Sequence, residues 1–182
     1  MTRLVPYAAA VVLLLGGCGT AENDPENDPG PGPVATAAVS GDFSPIDVQF
    51  AQQLVPHHRE GIELARLGAV RAQRPELRTL AEAIVATQQD EVILLTGWLA
   101  TWKQDPPGPA ASSKELAALR KTSGVAFERR FVTLLSTHQS EAIALARTES
   151  EGGRNRDALA LAKQIQLSRT AEIEQLRTAL GP

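Results

Sequence analysis

Cysteine is almost missing from this chain. Cys18 stands alone, so no internal disulfide can form. Methionine is as scarce, with Met1 the only one, and aromatic residues make up 4% of the sequence. β-Branched runs are few while Ala and Leu dominate, which favours helices over sheet. The net charge of −3 comes without a basic patch, so nothing points to nucleic acid. No Ser/His/Asp set, phosphate-cradling glycine loop or nucleophilic thiol is visible, which ranks an enzyme behind a binding or structural role.

What is present begins with an apolar run from Leu4 to Leu15, preceded by Arg3. It is short for a permanent membrane span and has the form of a secretory signal. Leu15-Gly16-Gly17-Cys18 resembles a bacterial lipobox. That resemblance implies lipidation at Cys18 and a protein exported to the extracytoplasmic face of the cell membrane; which membrane is left open. An acyl chain adds about 0.8 kcal/mol of membrane affinity per buried methylene. Residues 19–42 are rich in Pro, Gly, Asp and Asn, with acids at Glu22, Asp24, Glu26, Asp28 and Asp42 and no base. Such a segment buries too little surface to offset its ordering entropy and reads as an acidic tether.

The remainder, 43–182, repeats itself. "FAQQLVPHHREGIELAR" (50–66) and "FVTLLSTHQSEAIALAR" (131–147) share Phe, Leu, His, Glu, Ile, Leu, Ala and Arg at an offset of 81. "LAEAIVATQQDEVILL" (80–95) and "LAKQIQLSRTAEIEQL" (161–176) keep that offset. A gapless match over two blocks argues for a duplicated helical hairpin, with halves at about 43–102 and 124–180. Phe50, Leu54, His57, Gly61, Leu64 and Gly68 form one helical stripe; Leu77, Leu80, Ile84, Glu91, Leu94 and Trp98 form another. Ser44-Pro45 and Pro75 mark helix starts, and "SSKE" (112–115) a capping box. "DPPGP" (105–109) parts the halves, "KELAALRK" reads as a connector helix, and Gly152-Gly153 breaks the second hairpin. The spacing predicts four main helices at about 44–72, 75–102, 125–151 and 155–180, packed as an all-α four-helix bundle of ferritin-like type.

Residues equidistant from a hairpin turn face each other. With the first turn near residue 74, His57 is expected opposite Glu91, and the repeat places His138 with Glu172. Buried ionisable groups are costly unless paired or bound to metal. Two explanations stand side by side: a metal site between helices, where imidazole and carboxylate suit Zn, Cu(II), Mn or Fe, or two His–Glu pairs inside the core. His58, one step round the helix on the line of Leu54 and Ile62, is a ligand or a flank residue; its repeat counterpart is Gln139. Glu60 and Glu141 give His-x-x-Glu in both halves, the reverse of the di-iron Glu-x-x-His order, and read as solvated flanking acids. Trp98, Trp102 and Phe127 read as core or bundle-end packing, and Arg59, Glu63, Arg66 and Arg71 as a solvated face.

These motifs together resemble an exported family, domain of unknown function 305. The carrying residues are "LVPHH" with "GIELA", "ELRTLAEAIVATQQDEVILLTGWL" and "GVAFERRFVTLLSTHQSEAIALA". The family pattern runs M-x-P-H-H, Q-x-x-E-[IV], then G-x-x-F-[DE]-x-x-F. The resemblance implies a ferritin-like bundle, related in some members to copper-binding proteins of the bacterial envelope. It aligns His57 and His58 with the His pair, His138 with the first His of a second pair, and Gln88 and Glu91 with the Q-x-x-E. The family's methionine is Leu54 here, its counterpart Leu135, and the second pair is reduced to His138-Gln139. Soft thioethers select Cu(I), so a Met-rich Cu(I) carrier is not expected. The candidate metal ligands are His57, His58, His138, Glu91 and Glu172, for a divalent ion of copper or zinc type held for sequestration or delivery. The alternative is a non-catalytic interaction module that has kept the fold and lost the site. A partner in the envelope or a second copy is left unspecified.

Overall fold

A computed structural model describes residues 42–105, 107–108 and 113–181. The signal, the lipobox and nearly all of the tether lie outside the described residues. Four long helices and one short one follow in order: α1 (Pro45–Arg71), α2 (Pro75–Thr101), α3 (Lys114–Leu119), α4 (Gly124–Gly152) and α5 (Arg156–Leu180). α1 packs along α2, α4 along α5, and α1 joins the two hairpins by lying against α4. The helices start and stop within a residue or so of the positions expected from the sequence. No helix among the described residues is long and apolar enough to cross a membrane.

The helix starts explain how the hairpins lock. Ser44 caps α1, and Asp47 in the first turn accepts from the Ser44 N–H at 2.5 Å, a capping box with Pro45 at the first helical position. The same Asp47 carboxylate reaches across to the α4–α5 turn, accepting from the Arg154 and Asn155 N–H groups at 3.0 and 2.9 Å. Glu128, its counterpart in the repeat, does the same in reverse. From the second turn of α4 it accepts from the Gln73 and Arg74 N–H groups at 2.7 and 2.8 Å, and from the Arg74 guanidinium at 3.0 Å. Each hairpin thus supplies the acid that satisfies the orphan N–H groups of the other hairpin's turn. α2 needs no capping side chain from Arg74, because Glu128 fills that role.

The core divides in two. One apolar cluster gathers Phe50, Leu54, Leu95, Trp98, Trp102 and Ile165; the other gathers Leu64, Leu77, Ile84, Phe127, Phe131, Leu135 and Leu176. Each such side chain contributes about 1.5–3 kcal/mol on burial. On α2 the expected Leu77, Ile84, Glu91 and Trp98 are buried, while Leu94 is exposed; Ala81, Gln88, Leu95 and Leu99 complete the buried face. Arg71 also departs from the solvated face. Its guanidinium donates to the Arg120 and Thr122 carbonyls and lies 4.6 Å from the centre of the Phe127 ring, tying α3 to the bundle. Between the two apolar clusters all four long helices present polar side chains.

Candidate metal centre

The polar slab contains His58, Gln88, Glu91, His138, Gln139 and Arg169, all buried. His57 and Glu172 are nearly so, their side chains 13% and 14% exposed. Gly61 makes room for this packing. A Cβ there would lie 2.3 Å from Gln88 Oε1 and 2.5 Å from His138 Nε2, so only hydrogen lets α1, α2 and α4 close at this level.

The structure sorts the residues into two layers. In the first, His57 and His138 stack with ring centroids 3.7 Å apart and planes 15° from parallel. Glu141 Oε2 approaches His57 Nε2 at 3.7 Å. One ligand atom from each of His57, His138 and Glu141 lies within 4.8 Å of the others. Among the described residues, neither ring nitrogen of His57, nor Nε2 of His138, has a hydrogen-bond partner. Burial, reinforced by His138 and His58 nearby, pushes the His57 imidazole down to about 2. Burial likewise lowers His138 to about 4. Both rings are therefore neutral at physiological pH, the form that ligates metals. Glu141 is raised by burial and by Glu60. A cleft of about 250 Å³, lined among others by Glu60, Ser113, Glu115, His138 and Glu141, opens beside this layer.

The second layer is a chain of pairs. His58 Nε2 lies 2.8 Å from Glu91 Oε2, and the Arg169 guanidinium donates to that same oxygen. Arg169 Nη1 donates to Glu172 Oε1 at 2.7 Å. The Gln139 amide donates to the other Glu172 oxygen, and the Gln88 amide donates to Gln139 Oε1 at 3.3 Å. Burial raises Glu172, with Arg169 opposing. Burial lowers His58 although Glu91 works against it.

The pairing register differs by one residue from the equidistance argument. His58, not His57, meets Glu91, and Gln139, not His138, meets Glu172. One residue is about 100° of helix, so the fully buried His58 faces the bundle axis while His57 turns toward α4. Glu141 is largely exposed, as a flanking acid should be, yet it also reaches His57. Arg169 went unread in the sequence. The signal was there: the repeat offset aligns it with Gln88, a buried polar position.

The donor set fits a borderline divalent ion. Two neutral imidazoles with free nitrogens and one carboxylate converge beside an acidic cleft, and no methionine lies among the described residues.

The family model for domain of unknown function DUF305 matches residues 47–180. This chain belongs to that family. Solved structures similar to the DUF305 chain include a DUF305 fragment from Deinococcus radiodurans, at 28% identity and TM-score 0.69, over 76% of this chain and 97% of that one. CopM in its Cu(I)-bound form is similar at 27% identity and TM-score 0.65, over 72% of this chain and 92% of CopM; CopM is also described in Ag-bound form. A DUF305 protein from Streptomyces coelicolor, described as a candidate secreted protein, matches at 25% identity and TM-score 0.66, over 72% and 88% of the two chains. No curated protein matches the chain by sequence.

Proposed function

We propose that this DUF305 protein is an extracytoplasmic lipoprotein, anchored through Cys18, whose bundle holds one copper- or zinc-type divalent ion for sequestration or delivery. His57, His138 and Glu141 supply the donors. The observation that carries this is the stacked pair of neutral imidazoles, of which both His57 nitrogens and His138 Nε2 find no hydrogen-bond partner among the described residues. A core that left such groups unpaired for no purpose would lose about 1–3 kcal/mol per group. His58, Glu91 and Glu172 stand behind this layer, where their charges and hydrogen bonds hold the helices in register. The likeness to CopM supports copper as the class; the donor set supports Cu(II) or Zn over a thioether-bound Cu(I).

The alternative, an interaction module without a site, draws on the second layer, where Glu91 and Glu172 are already engaged by Arg169. It requires His57 and His138 to be satisfied by protein groups, whereas both His57 nitrogens and His138 Nε2 have no partner among the described residues. Calorimetric titration of the full chain with Cu(II) and Zn decides. The proposal expects one ion taken up and lost in a His57→Ala/His138→Ala variant; equal, weak uptake by both proteins leaves the alternative. For the anchor, Cys18→Ala should move the protein from the membrane to the soluble fraction. Unchanged membrane association would refute lipidation.

A further inference from the structure

The second layer resembles a metal site with its centre already filled. Glu91, Glu172 and His58 come from three helices and turn toward one another, a donor set of the same chemistry as the layer beside it. What lies between the carboxylates is the guanidinium of Arg169, with no exposed surface, forked so that one amino group serves Glu91 and the other Glu172. The repeat makes the substitution plain. The position equivalent to Arg169 in the first hairpin is Gln88, neutral and engaged with Gln139. One half of the duplication therefore carries an amide where the other carries a permanent cation.

We infer that Arg169 is the resident cation of the second layer: it takes the place a second divalent ion would otherwise occupy and limits the chain to one ion, bound at His57, His138 and Glu141. A divalent ion approaching Glu91 would meet a fixed positive charge in a medium that screens poorly, and would have to strip two charge-assisted hydrogen bonds. Two adjacent ions are what binuclear redox and hydrolytic chemistry requires; with Arg169 in place the bundle holds a single ion. The inference rests on the metal-binding proposal for the first layer, but the two fail separately.

The test is metal stoichiometry of the purified full chain after dialysis against excess Cu(II), and separately Zn, measured by elemental analysis. Wild type should hold one ion and Arg169→Gln two, the second being lost again in Arg169→Gln/Glu91→Gln. Arg169→Lys, which keeps the charge, should stay at one. Wild-type stoichiometry in a folded Arg169→Gln protein overturns the inference. If wild type takes none while Arg169→Gln takes one that depends on Glu91, the first-layer proposal falls and this one stands. Should Arg169→Gln fail to fold, Arg169→Gln/Glu172→Gln removes one charge of each sign and leaves His58 and Glu91 as donors. It too should gain an ion, and failure to do so counts against the inference.

Discussion

His57 and His138, counterparts in the two halves of the chain, lie ring on ring, 3.7 Å between centroids. Two imidazolium rings could not do this, because like charges at such a distance in a buried slab repel strongly. The stack is thus a statement about protonation, and it has a consequence in acid. An unfolded His titrates near 6.5 while these fold with values of about 2 and about 4. Between those limits the unfolded chain binds more protons, so their contribution is whole above 6.5 and shrinks as the pH falls toward 4 and below, at about 1.4 kcal/mol per pH unit per group. Urea unfolding of the apo protein between pH 7 and 4 should show this slope. A His57→Gln/His138→Gln variant should be flatter over the same window; an equal slope would mean the rings are not held neutral.

The two layers should separate under mutation. His58 fills the bundle axis and contacts Glu91. Its replacement by Ala opens a cavity and removes a partner from a buried carboxylate, a loss of about 1–3 kcal/mol. Cu(II) uptake should survive in the folded fraction. His57→Ala should do the opposite, costing little stability and most of the affinity. Denaturant midpoints beside titrations check both; loss of metal in His58→Ala would place His58 among the ligands.

Gly61 is the place where α1 yields to the site. An added Cβ would press on Gln88 Oε1 and His138 Nε2, and overpacking of this kind costs about 1–3 kcal/mol, partly offset by about 1 kcal/mol of helix propensity. Gly61→Ala is expected to lower both stability and metal affinity. Gly97, where a Cβ meets nothing within 4 Å, is the control: Gly97→Ala should raise stability by about 0.5–1 kcal/mol. Thermal melts of the two variants, moving in opposite directions, verify the contrast.

Glu149 is fully buried against the clamp that Asp47 forms at the α4–α5 turn. Burial raises Glu149 to about 8, and hydrogen bonding to Asp47 and that residue's charge add to it. Burial alone would raise Asp47 as well, but hydrogen bonds from Glu149, Ser44 and Asn155 outweigh it and hold Asp47 at about 2. Ionised, Glu149 has no donor for either oxygen among the described residues; protonated, it can give its proton to Asp47. Its contribution is complete below 4.5 and fades as the pH rises toward 8, because there the native state holds the extra proton. Glu149→Gln keeps a donor and cannot ionise. The variant should match wild type near pH 5 and exceed it by a few kcal/mol at pH 9, read from urea midpoints; a wild type insensitive to alkali would contradict this.

Much of the architecture was legible in the chain itself. Pro45, Pro75, Ser44 and Gly152-Gly153 set the helix limits by local chemistry, and the offset that aligns Phe50 with Phe131 and Glu91 with Glu172 declared two hairpins. The reciprocal clamps of Asp47 and Glu128 could have been found the same way, since both sit at equivalent points of the repeat, but an acid near a helix start is ordinarily just a cap or a solvated side chain. His57, His58 and His138 were identifiable as candidates because few other residues could ligate a soft or borderline ion.

What local sequence could not decide was rotation. A helix stripe is wide, and adjacent residues differ by about 100°, so whether His57 or His58 looks down the bundle axis depends on how closely Gly61 and Gly68 let α4 approach. That approach is a property of four helices packed together. The same holds for Arg169. By itself it is one more basic residue on an amphipathic helix; packing alone brings its guanidinium between two carboxylates from different helices, where water cannot screen it and its charge has to be matched.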